Sequence, residues 1–321
     1  MTAADPAGIG TVLSMGEILI DFIVTDGASS LDSAETFIAR SGGAPANVSV
    51  ALARLGVPSA FCGVVGHDPF GSRLAFQLAA EGVDVSRLRR SDQEATTLAY
   101  AWKDARGDGH FWLLRGADMA LSEGDAAGAG IPCLAALVVG SVALSSLPSR
   151  NAILEAVDVA RRDRVPVVFD VNLRPTLWAD LTSARSYCEE VARHSQLVKL
   201  SLDDAIGLYG PSSTPESAIE AVMSVGPQSI VLTDGERGAW FSCGTTVTHV
   251  PAFAVEALEP TGAGDAFNAA IIARSLASNW SSLSAEDVRY AAAAGALATT
   301  RRGAWDGLPN RGELDAFLAS A

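Results

Sequence analysis

The chain has 321 residues, 49% apolar and 19% charged, with 23 Lys plus Arg against 37 Asp plus Glu and a formal net charge of −14. This length can bury a sizeable core, and the apolar content excludes intrinsic disorder. The acidic balance sets nucleic acid and membrane aside as main partners but leaves room for a small anion in a locally positive pocket.

The N-terminus, Met1 to Gly10, carries Asp5 and no Lys or Arg, so it does not read as a signal peptide. No apolar run reaches the roughly 18 residues of a membrane span. Val12 to Met15 is a short apolar run ending at Gly16. Residues 18 to 38 are β-prone with polar interruptions. Val48, Ala51, Leu52 and Leu55 follow helical spacing, with Gly56 as the stop. Ser59 to Val65 reads as a strand, and Pro69 opens a helix to about Glu81. Thr96 to Leu114 reads as a hairpin turning at Ala105 to Gly109.

Short apolar runs at Ala136–Val139, Val167–Phe169, Leu197–Leu200 and Ser229–Thr233 then alternate with helical patterns at Arg150–Arg162, Thr182–His194 and Thr214–Val225. Ala135 to Leu144 reads as one of these buried strands with its exit loop. Gly238 to Val250 reads as a hairpin turning at Gly244, followed by helices from Gly264 to Ser278 and from Ala285 to about Thr299. Alternating strands and helices predict an α/β fold: a doubly wound, mostly parallel sheet covered on both faces. The two β-rich stretches without helices, 18–38 and 96–114, predict a small second sheet projecting from it.

Cys62, Cys133, Cys188 and Cys243 lie far apart, which excludes a zinc ribbon or disulfide scaffold and predicts buried free thiols in a reducing cytoplasm. His67, His110, His194 and His249 show no metal spacing. Gly8-Ile-Gly10 and Gly262-Ala-Gly264 lack the third glycine of a dinucleotide fingerprint. The chain has no P-loop and no G-x-S-x-G elbow.

The segment richest in chemistry is Glu259-Pro260-Thr261-Gly262-Ala263-Gly264-Asp265-Ala266-Phe267. Small residues lead directly into a helix, so backbone N–H groups can approach an anion closely. The helix end adds about half a positive charge. Asp265 falls in the first turn, where a carboxylate can act as a cap or as a general base beside a phosphate. Ser41-Gly42-Gly43-Ala44-Pro45-Ala46-Asn47 opens another helix. Its glycines permit close ligand approach, and Asn47 offers a donor and an acceptor suited to a polyol. A loop with a plain helix cap has the same pattern.

These two segments, in this order, resemble the signatures of the ribokinase/PfkB family of carbohydrate kinases. Met15-Gly16-Glu17-Ile18-Leu19-Ile20-Asp21 resembles the family's first strand. Phe111-Trp112-Leu113-Leu114-Arg115-Gly116-Ala117-Asp118 resembles the lid exit of fructokinase-like members. Phe169-Asp170-Val171-Asn172-Leu173-Arg174 resembles the D-x-N-x-R run of the fructokinase and 2-keto-3-deoxygluconate kinase branch. Leu232-Thr233-Asp234-Gly235-Glu236-Arg237-Gly238-Ala239 resembles the T-x-G-x-x-G segment on the nucleotide side.

The resemblance implies one ribokinase-like domain over residues 1–321, with a β-sheet lid formed by the insertions at 18–38 and 96–114. It also implies transfer of the γ-phosphoryl group of MgATP to a sugar, fructose first and 2-keto-3-deoxygluconate as the alternative. A silent sugar- or nucleotide-binding regulator and a nicotinamide-dependent oxidoreductase are the readings from other classes.

Asp265, Gly262, Ala263, Gly264 and Arg174 are the implied catalytic group. Asp21, Gly42, Gly43, Asn47, Trp112, Arg115 and Asn172 are implied to hold the sugar. Lys199, Ser201, Asp204, Thr233, Gly235, Gly238, Ala292 and Ala296 are implied on the ATP side, with Mg2+ held mainly through water. Ser201 to Asp204 departs from the family's N-x-x-E by a serine and a shorter acid. Glu259, Thr261 and Gly303 are the implied monovalent cation (K+) site, with Glu259 where the family has Asp or Asn. A homodimer through the lid is a further implication.

Overall fold

The computed structural model describes residues 10–106 and 109–321. The readings of Met1 to Gly10, of Gly8-Ile-Gly10 and of the turn at Ala105 to Gly109 therefore fall partly outside the described residues. The first strands and helices are β1 (Val12–Met15), β2 (Leu19–Val24), β3 (Phe37–Gly42), α1 (Ala44–Arg54), β4 (Ser59–Gly66), α2 (Pro69–Ala80), β5 (Asp84–Ser91), β6 (Leu98–Lys103) and β7 (Gly109–Leu114). The middle of the chain forms α3 (Glu123–Gly128), β8 (Ala136–Gly140), α4 (Ser149–Asp163), β9 (Val167–Asp170), α5 (Leu181–Arg193), β10 (Leu197–Ser201), α6 (Leu202–Tyr209), α7 (Pro215–Met223) and β11 (Ser229–Thr233). Last come β12 (Ala239–Ser242), β13 (Thr248–Val250), α8 (Ala263–Ala277), α9 (Ala285–Thr299), α10 (Ala304–Gly307) and α11 (Arg311–Ser320).

Nine strands form the main sheet in the order β13-β12-β11-β10-β9-β8-β1-β4-β5. The strands from β11 to β5 pair in parallel, and β12 and β13 close one edge as an antiparallel hairpin. The period of two along each strand builds a core on each face. Val12, Val138, Val168 and Val231 pack under α1, α8 and α9, while Leu13, Leu137, Phe169 and Leu232 pack under the helices from α3 to α7. From β1 the chain first builds outward through β4 and β5, then returns to place β8 on β1's other side. That reversal between β1 and β8 opens a crevice at the carboxyl ends of the strands, where ligands of such sheets bind.

The small sheet has the order β3-β2-β6-β7. β3 runs on to Gly42, past residue 38, because its last residues pair with Leu19 to Asp21. Strand alternation gives this sheet two different faces. Phe22, Phe37, Tyr100 and Trp112 form an aromatic row on one face, with Phe70 of α2 edge-on to Phe22. Leu19, Asp21, Ala99, Phe111 and Leu113 face the crevice.

Strand β5 was not expected. Arg87, Arg89 and Arg90 mask its pattern, as charge commonly does on an edge strand. Arg87 and Arg89 reach over to the Ala129 carbonyl and to Asp125 on α3. The thiol expectation also needs correction. Cys62 and Cys188 are buried, but Cys133 is exposed on a surface 3-10 turn and Cys243 is half-buried beyond β12. Among the described residues no helix is long and apolar enough to cross a membrane.

Candidate active site

The crevice holds a cavity of about 290 Å3 lined by residues from both sheets. A larger groove, about 430 Å3, lies on the outer side of α4 and α5. Glu123, Glu155, Asp158 and Glu190 line that groove and would repel an anion.

Asp265 stands on the first turn of α8 and faces the cavity. Its Oδ2 accepts a 2.7 Å hydrogen bond from Asn47 Nδ2. Asn47 Oδ1 in turn accepts from Trp305 Nε1 at 2.7 Å. Indole nitrogen only donates, so this bond fixes which end of the amide faces Asp265. Burial raises the Asp265 carboxyl above the ordinary carboxylate range, and the Asn47 bond, Lys199 and Arg174 partly offset it. Both conditions suit a proton acceptor that works near neutral pH.

Gly262 is left-handed, with φ 83°, and a Cβ there would lie 2.9 Å from the Ala304 carbonyl oxygen. Gly262 and Gly264 line the cavity. Ala263 does not, because its N–H is taken by the Pro260 carbonyl at 3.1 Å, closing the turn. The anion cradle is therefore narrower than the three expected amides. A Cβ at Gly264 would stand 3.0 Å from Lys199 Nζ, so glycine keeps that ammonium beside the helix end. Lys199 pairs with Asp170 at 3.1 Å, and Asn268 Nδ2 donates to the other Asp170 oxygen at 3.2 Å.

Arg174 lines the cavity and lies 5.9 Å over the Phe111 ring. Its Nη1 donates to the Leu173 carbonyl at 3.1 Å. Asn172 lines the cavity in a left-handed conformation, φ 38°. Asp21 is pushed up to about 7, by burial first, with Arg174 opposing and Asp265 and Glu259 adding to the rise. A Cβ at Gly42 would collide with the Asp21 carboxyl, so only glycine leaves room for it there. Gly43, φ 104°, lines the cavity where a Cβ would lie 2.6 Å from the Glu17 carbonyl oxygen.

Other implied residues lie outside the cavity. Trp112 points away from it, 50% exposed and against Tyr100, because its neighbours Phe111 and Leu113 take the cavity face of β7. Arg115 is buried but committed. Its Nε and Nη2 donate to Asp118 at 2.8 and 2.5 Å, and its Nη1 to Ser145 and Ser146 at 2.6 and 3.2 Å.

Asp204 is also fully engaged. One oxygen accepts from Leu173 N–H at 2.7 Å, and the other accepts from Ser201 N–H and Oγ at 2.7 Å each in a capping box. It holds the loop that carries Arg174 and has no oxygen turned to the cavity. Thr233, Gly235 and Gly238 sit together at the carboxyl end of β11 and the turn after it, and Ala292 and Ala296 are half-buried on α9. All five lie outside the cavity lining.

Thr261 lines the cavity, whereas the Glu259 carboxylate accepts from Gly303 N–H at 3.1 Å and ties two loops together. Among the described residues no cluster of three or more His, Cys, Asp or Glu is placed to hold a metal.

Sequence reasoning missed Glu17, Phe111 and Leu113 as cavity-lining residues and Trp305 as the partner of Asn47. The strand period of two on β7 would have selected Phe111 and Leu113 over Trp112. A lone acid in the apolar run around β1 marks Glu17. Nothing local marks Trp305, which is 258 residues from Asn47.

The sequence profile of the pfkB family carbohydrate kinases matches residues 10–311. Fructokinase-1 of Zea mays is 34% identical over 322 residues, covering 98% of this chain and 99% of that relative. A fructokinase of Xylella fastidiosa, solved with bound ATP, superposes with a TM-score of 0.86 at 27% identity, covering 97% of this chain and 98% of that one. A double-mutant fructokinase of Vibrio cholerae O395, solved with fructose, ADP and potassium ion, gives 0.85 at 31% identity over 97% of this chain and 98% of its own. The fold is the ribokinase-like one of these neighbours, and the chain belongs to the pfkB family of carbohydrate kinases, as a sugar kinase.

Proposed function

We propose that this sugar kinase transfers the γ-phosphoryl group of ATP to a hydroxyl of fructose, within one domain whose small sheet acts as a lid. The observation that carries this reading is Asp265, held by Asn47 next to the helix end where Gly262, Gly264 and Lys199 form a positive cradle. The terminal phosphate of ATP lies against that cradle. Asp265 takes the proton of the sugar hydroxyl as its oxygen bonds to phosphorus. The bond from phosphorus to the bridging oxygen breaks, and that oxygen leaves on ADP. Arg174, whose charge is fixed and whose donors are forked, stabilises the transferring group. Asp21, Gly43 and Asn172 hold the sugar, and Phe111 and Leu113 close over it from the small sheet. The nucleotide lies along the Thr233–Gly238 edge toward Ala292 and Ala296.

Mg2+ would neutralise phosphate charge when bound, and it would be held mainly through water, since both Asp204 oxygens already accept hydrogen bonds from the protein. K+ has weaker support. The Glu259 carboxylate already ties its loop to Gly303, as a bound cation would. The lid also fits a homodimer, because β3 and β7 are open edges and Phe37, Trp112 and Leu114 are exposed on it. The whole reading places the enzyme in the cytoplasm, where ATP and the sugar meet.

Fructose is favoured over 2-keto-3-deoxygluconate because Arg115, the extra cation a carboxylate substrate needs, is already bound by Asp118. The test is ADP release from MgATP over fructose, 2-keto-3-deoxygluconate, ribose, tagatose, glucose and adenosine, each with and without potassium. Fructose as best substrate supports the reading; turnover on the sugar acid alone, or on adenosine alone, overturns it.

A further inference from the structure

Glu17 stands just beyond β1 at the reversal point of the sheet, and it lines the same cavity as Asp265. It is 4% exposed, and its Oε2 is buried with no hydrogen-bond partner among the described residues. A buried carboxyl oxygen left unpaired costs stability unless a ligand completes it. Arg115, a cation that acts on it, does not serve it, because four of its five N–H donors go to Asp118, Ser145 and Ser146. The charges acting on Glu17 are Asp118, Arg115 and Arg174, whereas those acting on Asp21 are Arg174, Asp265 and Glu259. Arg174 thus acts on both acids, and Glu17, Asp21 and Asp265 line one cavity.

We propose that Glu17 is a specificity residue of this site, taking a hydroxyl of a neutral sugar on its unpaired Oε2 and turning away sugars that carry a carboxylate there. This rests on the sugar-kinase reading above. Two features give the proposal its direction. A hydroxyl donates to a carboxylate, accepts from a carboxylic acid, and so completes Oε2 in either protonation state. A substrate carboxylate beside Glu17 meets an acid, and the Arg115 guanidinium that could offset it is already paired with Asp118. A site built to bond a hydroxyl also discriminates against the analogue that lacks it, because the buried group is then left unpaired.

The experiment uses the full chain and its Glu17→Ala and Glu17→Gln variants. Isothermal titration calorimetry measures binding of fructose, of each monodeoxy fructose and of 2-keto-3-deoxygluconate, and ADP release is followed in parallel. Glu17→Ala is expected to weaken fructose binding about 10- to 100-fold, with Glu17→Gln losing less, since the amide keeps a donor and an acceptor. One monodeoxy fructose should bind the parent as weakly as fructose binds Glu17→Ala, and lose nothing more in that variant. The parent should bind fructose at least about tenfold tighter than the sugar acid.

Unchanged fructose binding in Glu17→Ala overturns the proposal, as does an equal loss for every monodeoxy fructose, which marks a structural role. If the parent binds the sugar acid as tightly as fructose, the proposal also falls. The two assays separate the readings: calorimetry decides Glu17 even if no sugar is phosphorylated, whereas absent ADP release with intact fructose binding overturns the kinase reading alone.

Discussion

Asn47 bonds in two directions at once, and the chemistry of Asp265 depends on both bonds. Trp305 Nε1 fixes its carbonyl end, and its amide end holds the Asp265 carboxylate. Trp305→Phe keeps the packing but frees the amide to turn, so it should cost about 1 kcal/mol of stability and lower kcat about tenfold with little change in the KM for ATP. Unchanged kcat would show that Asn47 orients without the tryptophan. Asp265→Asn removes the proposed proton acceptor and should lower kcat about 10²- to 10⁴-fold, with MgATP binding retained. Near-normal turnover would sink the general-base assignment.

The same carboxyls set the pH profile. Asp21 titrates near about 7 and Asp265 lies above its ordinary range, so both lose charge as the pH falls. kcat/KM for sugar should therefore decline below about pH 7, and Asp21→Asn should remove the inflection nearest neutrality. The sign for stability is opposite. A raised folded pKa means the folded chain binds more protons than the unfolded one between the two values, so this carboxyl costs stability as pH rises through that window. Asp21→Asn should thus melt higher than the parent at about pH 8 while binding sugar more weakly; a lower melting temperature would contradict the burial argument.

At the level of elements, the loops after β1, β8 and β9 reach the cavity, and a cap holds the last of them in place. Asp204 does this. Its carboxylate closes the capping box of α6 and takes the Leu173 N–H of the loop that presents Arg174. Asp204→Ala loses the cap and orphans a buried amide, so it should destabilise the chain by about 1–3 kcal/mol and lower kcat through Arg174, with the melting temperature and single-turnover rate as readouts. Loss of stability with a normal single-turnover rate would confine Asp204 to the cap.

The core strands and long helices were legible in the sequence because their apolar periods are continuous over both faces. The edge strand β5 was not, since its arginines serve contacts with α3 that no local pattern shows. The Gly-rich turn and Asp265 were legible for the same local reason, a small-residue approach to a helix end. Trp305, Glu17 and the true cavity face of β7 depend on long-range packing or strand phase, and a reading that stopped at motifs chose Trp112 one residue too far along.

The whole molecule combines a net charge of −14 with a cavity meant for a polyanion, so binding relies on a local positive patch and on exclusion of water. Lys199, Arg174 and the amino end of α8 supply the patch. In the proposed reading exclusion falls to the small sheet, where Phe111 and Leu113 face the cavity and the other face carries the aromatic row. A sugar hydroxyl and a water molecule compete for the same phosphorus. The enzyme favours the sugar only if closure leaves no path for water beside it.

Leu113 is the most direct test, because its side chain meets the cavity while its backbone pairs with Ala99. Leu113→Ser keeps that pairing and lets water in. ADP release without sugar should rise relative to sugar phosphorylation, by about tenfold in the ratio of the two rates, with the fold intact by circular dichroism. A ratio equal to the parent's would mean that water is kept out by the strand ends and Arg174 alone, and that the small sheet serves sugar recognition without sealing the site.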